Sequence, residues 1–554
     1  MTRTPDTQIP DAQIPDTQIP DTQHAVQIVG VDDIVVNTTK PVDPVGPTQL
    51  LLQVEACGIC FSDTKLLHAF ETHPRKVEIV SGLTPAELAE IPSYHPGTQP
   101  TVPGHEPVGR VVAVGDSVTH YRVGDRVLVQ ADWKHLRTAR SNGAFGYNFE
   151  GALQEYVVID ERCVVSPDGE EFLLHVAEEP SAAAVGLIEP WATVEAAYAA
   201  VERQAVKQSG RLLLVADADA DTSGAHALIE AAGAEVVQVP ADGLDLVSGQ
   251  TFDDIIYYGS DASVLSALGE LLGLQAILNV VLDGATIDGP VNIDIGRVHY
   301  DYIRYTGTTG ADPADSYTWL PANGEIRAGD RVAVIGAAGP MGLMHTMRAV
   351  TLGSEGIEVA SVTASDLNDD RLAHLASEID PVAAQRGVEV SYVNTGSQPL
   401  EAGFDYLACM VPAPALVAQA VELAAPGGVV NAFAGIPAGT FGEVNLQHLI
   451  ENKVFLFGTS GSDVKDMATV LRKIESGIVD TTISLDAVCG IAGFSDAINA
   501  VMNRTSGGKI MVFPQLHDLP FTRLVDLAGV RPDVAEKLVD GRWTVEAEKA
   551  LLGR

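Results

Sequence analysis

Three short segments carry side chains that together could hold a divalent metal. CGICFSD (57–63) supplies Cys60, GHEPVG (104–109) supplies His105, and LIEPWA (187–192) supplies Glu189. A thiolate, an imidazole and a carboxylate are ligand types of a catalytic zinc, and three protein ligands leave a fourth position open for water or substrate. Taken singly, each has a plainer reading: Cys60 as a small buried hydrophobe, His105 as a core histidine, Glu189 as a charge at a helix start. Spacing alone does not join them. Cys57 and Cys60 form a CxxC, but without a second pair it does not read as a structural zinc site.

A second constellation is continuous. RVAVIGAAGPMGLMHTMRAV (331–350) reads as strand, Gly-rich turn, helix. Gly336, Gly339 and Gly342 are spaced for a tight turn and a close approach to a diphosphate, with the N–H groups and partial positive charge of the helix N-terminus beyond. The next strand, IEVASVTASD, ends in Asp366. A carboxylate there hydrogen-bonds the adenosine ribose diol and repels a 2′-phosphate, which favours NAD over NADP. Asp366 can also be read as a cap of the helix that follows.

The elements that must position these residues follow from the chain's organisation. With 554 residues it calls for two to four domains. A net charge of −40 repels nucleic acid and anionic membrane. No run of about 20 apolar residues predicts a membrane span, and no basic, apolar leader opens the chain. Five cysteines, sparse and odd in number, fit a reducing cytoplasm. Residues 1–25, with a Pro-Asp-Thr/Ala-Gln-Ile repeat, read as a disordered tail. Residues 26–204 read as short strands broken by Gly and Pro, a compact β-barrel, followed by a helical stretch. Residues 515–554 have helical periodicity, predict packing on the body, and suggest no chemistry.

Between them lie two βαβ segments, 205–325 and 326–499, which imply parallel sheets. They look like copies. Phe252-Asp253 matches Phe404-Asp405; Asn279 and Asn431 stand at equal spacing from those phenylalanines; Val291-Asn292 matches Val444-Asn445; and Gly307–Gly310 matches Gly458–Gly461. The first copy has 18 acidic and 4 basic residues, a net of −14. Its turn, VADADADTSG, puts Asp217, Asp219 and Asp221 where a diphosphate needs glycine. We expect a degenerate copy kept for packing, covering in cis an edge strand of its twin. Cation binding by the three aspartates is the rival reading.

GHEPVGRVVAVG, EGALQEYVV, LIEPWA, DRVAVIGAAGPMG, ASDLNDDRL and GGKIMVFP, in that order, resemble the zinc-dependent medium-chain alcohol and polyol dehydrogenases, over roughly residues 26–204 and 326–514. The Glu-Pro at 189–190 is similar to the sorbitol dehydrogenase branch. The resemblance implies an α/β architecture: a GroES-like β-barrel catalytic domain completed by residues 500–514, and a doubly wound Rossmann domain, here with a tandem degenerate Rossmann-like copy. It implies Cys60, His105 and Glu189 as ligands of one catalytic zinc, Glu106 as a second carboxylate beside the metal, and Ser62 as the start of a proton relay. The next relay position is Lys65, where many relatives have histidine. It implies NAD contacts from Gly336, Gly339, Pro340, Met341, Gly342, Asp366 and, at the nicotinamide end, Gly458, Thr459 and Ser460. Asn368 and Arg371 are assigned to the adenosine end. Ala337 occupies the usual first glycine position. The lobe that in many relatives binds a structural zinc through four cysteines has none here (131–151). Residues 68–100 form a longer connection than usual, expected to rim the substrate pocket.

The implied activity is hydride transfer between NAD(H) and a polyol, sugar or secondary alcohol, or the corresponding ketone, in a cytoplasmic enzyme that works as a homodimer or as a pseudo-dimer formed in cis. Two alternatives stand beside it. One is an NADH-dependent sugar-phosphate ketone reductase, similar to sorbose-1-phosphate reductase, with His73, Arg75 and Lys76 meeting the phosphate. The other is a non-catalytic nucleotide-binding or regulatory protein.

Overall fold

The β-branched runs around the segments that carry Cys60 and His105 pair with each other. In the computed structural model, which describes residues 19–554, strand Gln49–Ile59 runs antiparallel to Glu106–Val114, with Gly58 opposite Glu106. Their inward side chains, among them Leu50, Leu52, Val54, Val108 and Val111, are fully buried. Arg126–Val129 and Leu173–His175 extend the sheet on one side. On the other, Lys509–Val512 pairs with Gln49–Ile59, and Leu485–Cys489 and Thr522–Arg523 follow. The pentapeptide repeat up to residue 18 lies outside the described residues. Its last residues differ from the expectation: strand Thr22–Gly30 already begins inside the tail, because Gln23 accepts a hydrogen bond from the Tyr156 N–H and donates one to Gln154.

The chain divides into two units, one holding the described residues up to Glu189 with Thr481–Arg554, the other Pro190–Asp480. The first unit resumes at Thr481, earlier than the residue 500 expected from sequence, because strand Leu485–Cys489 and helix Phe494–Met502 also belong to it. The cysteine-free lobe is a small three-stranded sheet of Ile79–Ser81, Asp132–Thr138 and Asn142–Ala144. Aromatic packing fills it: Trp133 and Phe149 rings, both buried, lie 4.8 Å apart, and Tyr94 and Phe149 4.9 Å. The long connection supplies both Ile79–Ser81 and Tyr94, so it is built into the lobe.

The second unit holds two parallel sheets. One has the order Val390–Asn394, Ser361–Asp366, Arg331–Ile335, Phe404–Cys409, Ala424–Asn431, Phe455–Phe457. Numbered along the chain this is 3-2-1-4-5-6, the doubly wound order. The other has Glu235–Pro240, Arg211–Ala216, Phe252–Tyr258, Leu272–Val281 and Arg304–Thr308, the same order without its third strand. A 3-10 turn over Ala241–Val247 stands in that strand's place.

The copies meet as equivalents. Val291–Asp294 pairs antiparallel with Phe441–Val444, and Val291 faces Val444, the residue that matches it in the repeat. Self-pairing of matched residues is what a local two-fold produces. A continuous apolar core runs through both sheets, including Leu213, Ile255, Leu278 and Val298 of one copy and Ala333, Leu407, Val430 and Leu449 of the other. Packing between the copies, expected from sequence, is therefore present. The edge strands Arg304–Thr308 and Phe455–Phe457 remain in separate sheets.

Candidate functional site

Cys60 stands at the junction of strand Gln49–Ile59 and helix Phe61–His68, as that helix's N-cap. Asp63, in the first turn, accepts from the Cys60 backbone N–H at 2.9 Å. The same carboxylate lies 3.2 Å from His105 Nδ1. A carboxylate on one ring nitrogen orients the other toward the site, the arrangement seen behind metal-binding histidines. His105 Nε2 in turn lies 3.0 Å from Ser62 Oγ. Burial disfavours a charged His105, but Tyr147 and Asp63 outweigh it and raise its pKa well above the usual range.

Glu106 begins the strand opposite Gly58, and a Cβ on that glycine would sit 2.1 Å from Glu106 Oε2. The glycine makes room for the carboxylate. Glu106 Oε1 accepts from Lys509 Nζ at 2.6 Å, and Lys509 also donates to the Ile59 carbonyl at 2.9 Å. Burial works against the Lys509 charge, and Glu106 more than offsets it, holding the ammonium up. Glu106 Oε2 is buried without a hydrogen-bond partner.

Among the described residues, one group of three metal-competent side chains has its donor atoms within 4.8 Å of one another: Cys60, His105 and Glu106. Glu189 falls outside that group of three. It stands close by, in the first turn of helix Ile188–Ala199, and its pKa is pushed up to about 7 by burial and by the Glu106 carboxylate, against His105 and Lys509. Asp217, Asp219 and Asp221 form no such group. Asp217 accepts from the Tyr257 hydroxyl and Asp221 from the Ser223 N–H.

The sulfur, nitrogen and oxygen donors of Cys60, His105 and Glu106, with an unsatisfied buried Glu106 oxygen among them, fit a zinc ion. Cys57 does not join them: it is fully buried, burial raises its pKa, and its sulfur packs against Gly104.

Lys65 is exposed on helix Phe61–His68, near enough to His73 to act on its charge. His73 stacks on Tyr147 at 5.0 Å, and burial, Arg75 and Lys65 hold its pKa down at about 4. Arg75 donates to Asp132 Oδ2 at 3.1 Å and lies 5.4 Å from the Tyr147 ring centroid. Lys76, expected with these two, turns elsewhere: it is buried and donates to the His95 and Gln99 carbonyls. Lys76 was grouped with its neighbours by adjacency, and the carbonyls that hold it come from residues 95–99.

In the second unit, Gly336 ends strand Arg331–Ile335 with φ +80, which favours glycine. Gly339 is the N-cap of helix Pro340–Thr351, with no side chain on its first N–H groups. Pro340, Met341 and Gly342 form the first turn. Asp366 Oδ2 accepts from the Ala338 N–H at 3.3 Å, which brings strand end and Gly-rich turn together. Arg371 donates to the Ala338 carbonyl at 2.9 Å, and Asn368 caps helix Asp369–Arg386. Gly458, Thr459 and Ser460 follow strand Phe455–Phe457. The degenerate copy holds this turn: Arg304 donates to the Gly458 carbonyl at 3.1 Å and the Tyr302 hydroxyl to the Ser460 carbonyl at 3.0 Å. An open glycine turn at a helix N-terminus, with a carboxylate one strand over, suits a dinucleotide.

Sequence reasoning missed Asp63, Tyr147 and Lys509 as parts of the metal-site surroundings, and Glu548. Glu548 accepts from the N–H groups of Ala182 and Ala183 at 2.5 and 2.9 Å and from the Trp543 indole at 3.2 Å. It thereby anchors helix Ala182–Gly186, just before Glu189, to the C-terminal segment. Asp63 was legible as a capping residue three positions after Cys60. The others reach the site from remote sequence.

Residues 46–168 match the alcohol dehydrogenase GroES-like domain family. The chain is 28% identical over 351 residues to the uncharacterized protein YggP of Escherichia coli (strain K12), covering 58% of this chain and 77% of that protein. It is 26% identical over 250 residues to a mannitol-1-phosphate 5-dehydrogenase of Aliivibrio fischeri, covering 41% and 57%, and 31% identical over 153 residues to (R,R)-butanediol dehydrogenase of Bacillus subtilis (strain 168), covering 25% and 39%. The chain thus spans under two thirds of the latter two. The solved 2R,3R-butanediol dehydrogenase from Bacillus subtilis superposes with a TM-score of 0.51 at 15% identity, over 89% of this chain and 100% of that one. A putative zinc-binding dehydrogenase from Sinorhizobium meliloti 1021, bound to NADP, gives 0.50 at 16% over 89% and 100%. These likenesses show the fold.

Proposed function

We propose that this chain, which carries an alcohol dehydrogenase GroES-like domain and resembles the medium-chain alcohol and polyol dehydrogenases, is a zinc- and NAD-dependent polyol or secondary-alcohol dehydrogenase. The observation that carries the reading is the convergence of Cys60, His105 and Glu106 within 4.8 Å, on the domain that matches the family. Cys60 and His105 would hold the metal, with Glu106 and Glu189 as the carboxylates available to complete the set. Zinc supplies Lewis acidity toward a substrate oxygen. NAD supplies the hydride acceptor.

The chain's own residues do the rest. Asp63, 3.2 Å from His105 Nδ1, would orient the ring. Lys509 donates to Glu106 and to the carbonyl preceding Cys60, tying the two together. Ser62, beside His105 and half-buried, would relay the hydroxyl proton of a substrate, accepting it while releasing its own proton to water. Lys65, exposed, offers no buried continuation of that path. The Gly336–Gly342 turn would bind the diphosphate and Asp366 the ribose diol.

Zinc content by elemental analysis, with NADH absorbance followed over a panel of polyols and secondary alcohols with NAD and NADP in parallel, tests the reading. We expect one zinc per chain and NAD-linked turnover. Turnover of no alcohol by zinc-loaded protein would defeat it, and a preference for NADP would defeat the role given to Asp366.

A further inference from the structure

The proposed chemistry leaves unused Arg75 and Lys65 beside the candidate metal-site residues, with the His73 imidazole, its pKa held down at about 4, as a neutral hydrogen-bonding neighbour. His73, Arg75 and His105 surround the buried Tyr147 ring, at 5.0, 5.4 and 5.5 Å. Lys65 acts on His73 from the exposed face of its helix. Two carboxylates, Asp132 and Glu189, act on Arg75. Asp132 receives one guanidinium N–H and the Tyr147 ring lies beneath, so the planar fork is held in one orientation. The Arg75 side chain is still 31% exposed. In a protein with 74 acidic residues against 34 lysines and arginines, an arginine and a lysine next to the candidate metal-ligand cluster stand out.

We propose that Arg75, with Lys65 and His73 beside it, forms an anion subsite that receives the phosphomonoester of a phosphorylated polyol, or of its ketone, while the reacting hydroxyl or carbonyl reaches the metal site. A guanidinium fork matches phosphate oxygens in paired hydrogen bonds, and a fork already oriented by a carboxylate and a ring loses little freedom on binding. Lys65 adds a mobile charge at the rim. The long connection of residues 68–100 acquires a function by this assignment: it carries His73 and Arg75, and its strand and Tyr94 fix it to the lobe that supplies Asp132 and Tyr147. The proposal rests on the dehydrogenase reading of the neighbouring cluster.

The test compares kcat/KM for a hexitol, its terminal phosphomonoester and the corresponding aldonate, in the zinc-loaded full chain and in Arg75→Met and Arg75→Lys. We expect the phosphomonoester to be preferred over the free hexitol by a factor on the order of 10–100, carried mainly by KM. The preference should collapse toward one in Arg75→Met. It should be intermediate in Arg75→Lys, which keeps the charge without the fork and guards against a variant that merely folds poorly. Equal kcat/KM for hexitol and phosphomonoester, preference for the aldonate, or a ratio unchanged in Arg75→Met would overturn the subsite and leave the dehydrogenase reading intact. Turnover of none of the three would defeat the dehydrogenase reading. Calorimetry of the phosphomonoester would then decide the subsite: weaker binding by Arg75→Met supports it, and equal affinity overturns it.

Discussion

Lys509 and Glu106 form a buried ion pair, Nζ to Oε1 at 2.6 Å, between residues 403 positions apart in sequence. Glu106 is fully buried and Lys509 nearly so. Removing one member of a buried pair strands the other, at a cost of about 3–5 kcal/mol. Lys509→Met should therefore lower stability by that order in thermal or urea unfolding and weaken zinc retention. An unfolding curve superimposable on wild type would show that the pair contributes nothing.

In the proposed zinc site, two carboxylates stand as candidates for the third ligand position. Sequence resemblance assigns Glu189, whereas the atoms that converge with Cys60 and His105 are those of Glu106. Glu189→Gln and Glu106→Gln should both weaken zinc binding, and the true first-sphere ligand should do so more, by more than the 10–100-fold typical of an outer-sphere partner. Competition with a chromophoric chelator ranks them. No change in Glu189→Gln would leave Glu106 as the ligand.

The turn assigned to the nicotinamide end is bonded to the degenerate copy through Tyr302 and Arg304. Arg304 is also clamped by both Glu202 oxygens at 2.8 Å. Tyr302→Phe removes two hydrogen bonds to Ser460, one donated to its carbonyl and one accepted from its N–H, and should raise the KM for NAD by several-fold, with a stability loss of about 1–2 kcal/mol. Unchanged cofactor kinetics would confine the copy to packing. The same geometry supports our proposal that the copy acts as a partner in cis, for which sedimentation should find a monomer.

Glu548→Ala should be strongly destabilising. The change leaves the Ala182 and Ala183 N–H groups and the Trp543 indole unpaired in a buried setting, each worth about 1–3 kcal/mol. A Tm within a degree of wild type would refute the assignment.

His345 is fully buried, accepts or donates to the Tyr198 hydroxyl at 2.7 Å, and burial with the nearby Arg348 lowers its pKa to about 3. Because the folded value lies below the ordinary value near 6.5, the unfolded chain binds the extra proton first as pH falls. The neutral ring's contribution is complete above about pH 6.5 and is lost as pH falls toward 3. His345→Gln should flatten the fall of Tm between pH 6.5 and 4 relative to wild type. Parallel slopes would show that His345 does not govern it.

The parts of the protein that depend on local pattern were legible without coordinates. Strand periodicity and turn residues indicated a barrel. A Gly-rich turn between strand and helix marked the dinucleotide unit, and matched anchors revealed its duplication. These signals are local because backbone geometry and side-chain alternation act over a few residues. The metal-site residues were named individually, since Cys60, His105 and Glu106 sit in short segments that look like a known family. Which carboxylate approaches the sulfur and the ring was decided by tertiary structure: the approach depends on Gly58 making room and on Lys509 arriving from a strand at the far end of the chain. The missing third strand of the copy, the Val291–Val444 self-pairing and the anchoring of Ala182–Gly186 by Glu548 were likewise invisible in sequence. Each joins segments far apart in the chain, and a single sequence records the types of such partners but not their meeting.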